Sequence, residues 1–227
     1  MDLGSPARAD DRGQVARLPG EHAAQVPGGE GVNPELGVTV APMTQQHSTQ
    51  VLAVYRAGLD GEDASFETTA PGWPTFDRIH LPQHRFVAVN PAGDVLGWVA
   101  ASAVSARQVY AGVVEHSVYV AASAQRQGLG RLLVRALVAS TGIHLVRTVQ
   151  AAISPENRAS VGMHLAEGFR RVGRREQIAV RDGRWRDLLL LERRSRMVLS
   201  PAVTPAGVGR GAERGDWSSA PSGQGRP

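Results

Sequence analysis

The chain contains neither cysteine nor lysine in its 227 residues. Without cysteine there is no disulfide framework, no thiol nucleophile and no zinc–thiolate centre. Without lysine the Gly-Lys-Ser/Thr ending of a P-loop cannot occur. Aromatics are scarce as well, at 5%, too few to build the stacking platform of a single-strand nucleic-acid binder. No apolar run approaches the roughly 20 residues of a membrane-spanning helix. The N-terminus shows no charged-then-apolar signal pattern, so a cytoplasmic location is expected. The formal charge of +4 comes entirely from arginine. These arginines are scattered, which fits codon composition better than a nucleic-acid surface. No nucleic-acid, membrane or metal partner is expected. His47, His80, His84, His116 and His144 have no ligand-like spacing and read as surface or core residues.

This length leaves room for one ordinary domain plus tails. Residues 1–37 are rich in Gly, Pro, Ala, Arg and Asp with no sustained period. They read as a disordered leader, or as translated upstream sequence if the true start lies later. Residues 195–227 have the same character and read as a disordered tail. The folded part is expected over residues 38–194, in the order β-α-α-β-β-β-α-β-α-β-β. Helices are expected over about Thr44 to Gly58, Thr75 to His80, Gly128 to Ile143 and Ser154 to Gly168. Two strand pieces, Arg170 to Val172 and Glu176 to Val180, are expected before the last strand. Hairpins combined with crossover helices make an α+β fold with a mixed sheet, rather than a doubly wound one.

One stretch organises the rest: Glu115 to Arg131, EHSVYVAASAQRQGLGR. It opens as an alternating strand, with His116, Val118 and Val120 on one face and Glu115, Ser117 and Tyr119 on the other. Small residues follow. Then Gln125-Arg126-Gln127-Gly128-Leu129-Gly130 opens a helix whose apolar positions fall at Leu129, Leu132, Leu133, Ala136 and Leu137. A strand, a glycine turn and a helix bring backbone N–H groups and the positive helix end to one spot, with Arg126 and Arg131 beside it. Such a spot binds phosphate or pyrophosphate. The third glycine and the acidic residue of a dinucleotide fingerprint are missing.

The stretch resembles the Q/R-x-x-G-x-G/A motif of the GNAT N-acetyltransferases. Asn157-Arg-Ala-Ser160-Val-Gly-Met-His164-Leu-Ala-Glu-Gly168-Phe169 is similar to that superfamily's N-x-x-S-x-x-x-Y/H-x-x-x-G-F segment. Ser105-Ala-Arg107-Gln-Val-Tyr110, then Val114-Glu115-His-Ser-Val-Tyr119-Val, resembles the phosphinothricin N-acetyltransferase branch, as does Gly183-Arg-Trp185-Arg-Asp187-Leu-Leu-Leu-Leu191. The resemblance covers essentially all of residues 38–193.

What it implies is an enzyme moving an acetyl group from acetyl-CoA directly to a primary amine in a ternary complex, with no metal. The implied acceptor is an amino acid or an analogue of the phosphinothricin or methionine-sulfoximine type. The implied pyrophosphate site is Gln125 to Arg131, and Asn157 and Ser160 would lie along the pantetheine chain. Asn157 also reads as an ordinary helix N-cap. Backbone groups of Val118, Tyr119 and Val120 would pair with the pantetheine amides and polarise the thioester. Glu115 is the implied base and His164 the implied donor to the departing thiolate, where most of the superfamily has Tyr. Arg107 and Tyr110 suit an anionic acceptor group, with Tyr119 and Phe66 against the rest of it. The dedicated resistance enzymes carry a second basic residue where this chain has Ser105, which suggests weaker anion recognition. Enzymes of the branch are commonly homodimers, an assembly on which these residues are silent. Transfer to another small amine and a non-catalytic CoA-binding sensor stand as alternatives.

Overall fold

A computed structural model of the chain describes residues 37–61, 65–144 and 146–195. Its strands are β1 (Thr39–Pro42), β2 (Arg85–Val89), β3 (Val95–Ala103), β4 (Val113–Val120), β5 (Thr148–Ile153), β6 (Arg170–Arg181) and β7 (Arg184–Arg194). Its α-helices are α1 (Ser48–Leu59), α2 (Trp73–Ile79), α3 (Leu129–Ile143) and α4 (Arg158–Ala166). The strands form one seven-stranded sheet in the order β1-β2-β3-β4-β5-β7-β6. Only β4 and β5 run parallel; the other neighbours are antiparallel. That pair needs a crossover, and α3 supplies it.

Each face of the sheet is covered, and the alternation of β4 decides what packs on which side. Val114 and its same-face neighbours Val118 and Val120 join Leu129, Leu133 and Leu137 of α3 and Val161 of α4 in one core cluster. Tyr119, pointing the other way, joins Val51, Leu52 and Val54 of α1, Phe76 of α2 and Trp98 of β3 in a second. The expected apolar stripe of α3 is real: Leu129, Leu133 and Leu137 are buried, and Leu132 and Ala136 pack at its margin.

Local chemistry explains where the expected boundaries moved. The first helix was expected from Thr44, but Gln45–His47 is a 3₁₀ turn and α1 starts at Ser48. The second begins at Trp73 rather than Thr75, because Pro74 fits a first helical turn, where its missing N–H costs nothing. The helix expected from Ser154 starts at Arg158, capped by Asn157, whose Oδ1 accepts from Ser160 N at 3.0 Å. The two strand pieces expected after Gly168 are one strand, β6, broken in register between Arg171 and Gly173 and between Arg175 and Ala179. Bulges of this kind interrupt the side-chain alternation on which a sequence reading depends. The expected leader and tail lie outside the described residues except at Gly37 and Ser195.

Candidate active site

β4 and β5 pair at only three positions, Val113↔Thr148, Val114↔Val149 and Glu115↔Gln150. Beyond Glu115 the strands separate. β4 stays held by β3 as far as Gly97↔Val120, and β5 by β7 as far as Ile153↔Leu189. The edge of β4 that faces the gap therefore carries unpaired backbone N–H and C=O groups, ready to add a strand-like partner. A cavity of about 80 Å³ opens there, walled by His116, Val118 and Tyr119 on one side and Ala151, Asn157, Ser160 and His164 on the other.

The glycine turn stands at the mouth of this gap. Val120 runs into a 3₁₀ turn, Ala122–Ala124, pinned by Ala121 N donating to Leu96 O at 2.8 Å. Gln127 Nε2 donates back to Ser123 O at 3.2 Å. Arg126 (φ +61°) and Gly128 (φ +82°) both take left-handed backbone, and a loop curled in this way can form an anion-binding concavity from its N–H groups. Gly128 is required for that reason. Gly130 is not: an added Cβ would stand 3.8 Å from Met163, ordinary contact distance. The same Cβ would stand 3.9 Å from Val120, so this glycine lies between the start of α3 and the cleft side chains of β4 and α4.

Two of the expected phosphate ligands have side chains engaged within the protein. Arg131 Nε donates to Glu167 Oε1 at 2.7 Å, and Arg135 Nε to Oε2 at 2.8 Å, so this arginine clamps α3 to the end of α4. The Leu129 side chain is buried in the core, which leaves only its backbone to face a ligand. Gln125, Arg126 and Gln127 are exposed at the mouth.

Glu115 occupies the last paired position before the strands part. It is half-buried, and burial raises its pKa above the ordinary carboxylate range, with Arg175 of β6 pulling the other way. It shares a face with Tyr119, whose ring stacks on Trp98 at 4.8 Å and meets Tyr55 at 4.8 Å. The Tyr119 phenol is pushed up by burial and then by Tyr55, with Ser65, in the long loop between α1 and α2, acting in the opposite sense. Beside Ser65 in that loop sit Phe66, half-buried, and Glu67, exposed; the charge of Glu67 adds to burial in raising Tyr55.

Arg107 and Tyr110 are exposed on the β3–β4 loop, the guanidinium 5.5 Å from the centre of the Tyr110 ring. The loop springs from the same end of the sheet as Glu115, since Ser102 is the β3 partner of Glu115. Among the described residues Arg107 makes no ion pair. Ser105, the departure from the resistance enzymes, acts locally. Its Oγ accepts from Arg107 N at 3.1 Å and shapes the turn.

His164 is buried on the cleft wall with both ring nitrogens engaged. Nδ1 bonds Ser160 O at 2.7 Å, and Nε2 lies 3.0 Å from Nε2 of His116. His116, read from sequence as a surface or core residue, is indeed buried, but in this wall. Burial pushes both rings toward the neutral form. Two further residues escaped the sequence reading. The charge of Arg175, on the edge strand β6, opposes the effect of burial on Glu115. Buried Arg181 donates to Leu59 O at 2.8 Å, to Gly61 O at 3.2 Å and to Ser65 O, holding the long loop to the β6–β7 hairpin. Strand alternation could have put His116 with Val118 and Val120 toward the cleft; nothing in the sequence singles out the arginines. Among the described residues no group of three His, Asp or Glu could hold a metal ion.

An open strand edge for amides next to a helix N-terminus for phosphates suits one long ligand carrying both, as a CoA thioester does. The chain belongs to the acetyltransferase (GNAT) family, whose sequence profile matches residues 54–169. It is 36% identical over 147 residues to the L-methionine sulfoximine/L-methionine sulfone acetyltransferase of Pseudomonas aeruginosa, covering 63% of this chain and 86% of that one. To the phosphinothricin N-acetyltransferase of Streptomyces coelicolor it is 34% identical over 100 residues, 44% of this chain and 58% of that one. Among solved structures it resembles a phosphinothricin acetyltransferase from Sinorhizobium meliloti in complex with acetyl-CoA. The TM-score is 0.66 at 25% identity, covering 74% of this chain and 96% of the other. The enzyme is an N-acetyltransferase that uses acetyl-CoA, with the GNAT mixed sheet.

Proposed function

We propose that the enzyme acetylates the α-amino group of an amino acid or a compact analogue, methionine sulfoximine and phosphinothricin being the acceptors to try first. The observation that carries this reading is Glu115: a carboxylate with a raised pKa, on the last paired residue before the strands part. A primary amine is protonated near neutral pH and must lose a proton before it attacks. Glu115 takes that proton, directly or through a water. Acetyl-CoA supplies the activated thioester. Backbone N–H groups from Gln127 to Arg131 hold the pyrophosphate, assisted by the exposed side chains of Gln125 and Arg126. Val118, Tyr119 and Val120 line up the pantetheine along the free edge of β4 and polarise the carbonyl. Asn157 and Ser160 face the same chain from the start of α4, and His164 serves the departing sulfur from the wall.

On the acceptor side, Arg107 grips the carboxylate or phosphinate in a two-point contact, with Tyr110 beneath it. Phe66 and Tyr119 enclose the side chain. A homodimer belongs to the same proposal, supported by Val180 and Trp185. These residues pair across the β6–β7 hairpin and are 54% and 62% exposed, an apolar pair suited to a contact. Light scattering on the purified chain tests it. Cytoplasmic action completes the proposal, in keeping with the use of acetyl-CoA, and cell fractionation tests it.

The deciding experiment is thiol release from acetyl-CoA with methionine sulfoximine, phosphinothricin, the common amino acids and spermidine in separate wells. Turnover on an amino-acid analogue, lost in Arg107→Ala, is expected. Turnover on spermidine alone would overturn the acceptor assignment.

A further inference from the structure

His116 and His164 meet across the cleft wall with their Nε2 atoms 3.0 Å apart. Each ring spends its other nitrogen on a backbone carbonyl. His116 Nδ1 bonds Gln150 O at 2.9 Å, and His164 Nδ1 bonds Ser160 O at 2.7 Å. A carbonyl only accepts, so each Nδ1 must carry a hydrogen. If both rings are neutral, two bare Nε2 lone pairs then oppose each other at hydrogen-bond distance. Three contacts need three protons, and two neutral imidazoles bring two. Changing a tautomer moves the shortage to a carbonyl without curing it. Turning a ring over puts carbon at both of its contacts. The Ser160 hydroxyl, 3.4 Å from His164 Nδ1, leaves the count unchanged, because that nitrogen already faces the carbonyl.

We propose that His116 and His164 act as one unit holding a single shared proton between their Nε2 atoms, and that this cationic pair stabilises the sulfur anion released in acetyl transfer. The second half rests on the acetyltransfer reading; the proton count does not. In the transfer, Glu115 takes the ammonium proton and releases it to solvent; the neutral amine nitrogen then forms the C–N bond and passes its second surplus proton to the same carboxylate. The C–S bond breaks with its electron pair on sulfur, which then lies against the wall that carries the pair's charge. No proton leaves the pair, and the thiolate is protonated by solvent as it departs. His116 is thus a positioning residue that fixes the protonation state of His164.

Burial opposes charge on either ring taken singly. Sharing spreads it over two imidazoles and fills the third contact, so the proton belongs to the pair. The charged groups on the surrounding elements are committed elsewhere. Glu167, ending α4, is held by Arg131 and Arg135 of α3. Glu192 of β7 is held by Arg170 and Arg194. Glu115 points to the opposite face of β4, toward Arg175 of β6. From β5 the pair meets the neutral Gln150, and Phe169 packs on both rings, with ring centres 5.5 Å from His116 and 5.1 Å from His164.

Two measurements on the full chain test the proposal. The first is nitrogen NMR of ¹⁵N-histidine protein at neutral pH. It is expected to count three nitrogen-bound protons in the pair, with His164 reverting to one neutral Nδ1–H ring in His116→Gln. Two neutral rings in the unmodified protein would overturn the proposal whatever the enzyme does. The second follows the ultraviolet absorbance of the thiolate of bound CoA against pH. The bound thiol should ionise about one pH unit lower in the unmodified protein than in His116→Gln, a tenfold difference in thiolate at a given pH. Equal ionisation in the two proteins overturns the role toward sulfur. Absence of any CoA binding, seen as an unmoved melting temperature, overturns the acetyltransfer reading instead and leaves the proton count to the NMR.

Discussion

At the scale of single residues, the site depends on two opposed directions along one strand. Glu115 and His116 are neighbours in sequence, yet alternation sends the first to the face of Tyr119 and the second into the cleft wall with α4. Removing the carboxylate's charge while keeping its shape should therefore affect chemistry more than binding. Glu115→Gln is expected to lower kcat by roughly 10²- to 10⁴-fold with little change in KM for acetyl-CoA. In the unmodified enzyme kcat/KM should climb with pH as Glu115 ionises, at a pH above the usual carboxylate range because burial raises it. The variant should lack that limb, and initial rates across the pH range check both statements.

Secondary-structure elements do the positioning, and their ends matter most. Gly128 precedes α3 at φ +82°, where an L side chain is strained, while an added Cβ would meet nothing within 4 Å. Gly128→Ala should thus cost about 1 kcal/mol through the backbone alone. It should also raise KM for acetyl-CoA more than it changes kcat, because the strained turn aims the N–H groups that would hold the pyrophosphate. Asn157 caps α4 through Ser160 N at 3.0 Å. Asn157→Ala should destabilise the fold by about 1 kcal/mol, read as a lower denaturant midpoint at unchanged m. Since α4 carries Ser160 and His164, the same change should weaken acetyl-CoA binding.

Across the whole molecule, buried histidines tie stability to pH. His84 is fully buried, with Nδ1 donating to Ser140 Oγ at 2.9 Å, and burial, helped by His144, lowers it to about 4. His80 is lowered by burial to about 4 as well, despite its bond to Phe76 O. In the unfolded chain both titrate near 6.5. Between those values the unfolded state binds more protons, so stability is fully present above about pH 6.5 and is lost as pH falls from there toward about 4. The loss should reach at most about 3 kcal/mol per histidine. Urea unfolding at about pH 7 and about pH 5 measures it, and a flat profile would contradict the burial of these rings. Long-range links of another kind hold the segment that follows α1: Arg181, on β6, donates to the carbonyls of Leu59, at the end of α1, and of Gly61 and Ser65 beyond it.

The order of strands and helices, the two faces of β4 and the glycine turn were legible in the sequence because each is written in a short-range pattern. Alternation, a stripe of three and four, and glycines at a helix start all act within one or two turns of chain. The same local logic suggested Asn157 as a cap, and the family resemblance suggested Glu115 as the base. What tertiary structure alone decided is who meets whom. The parting of β4 from β5 after three residue pairs, the turn of Arg131 toward Glu167, the effect of the Arg175 charge on Glu115 and the meeting of His116 with His164 depend on residues far apart along the chain. No periodicity encodes such contacts. They follow from the packing of α3 and α4 on one face of a mixed sheet and from the path of a bulged edge strand.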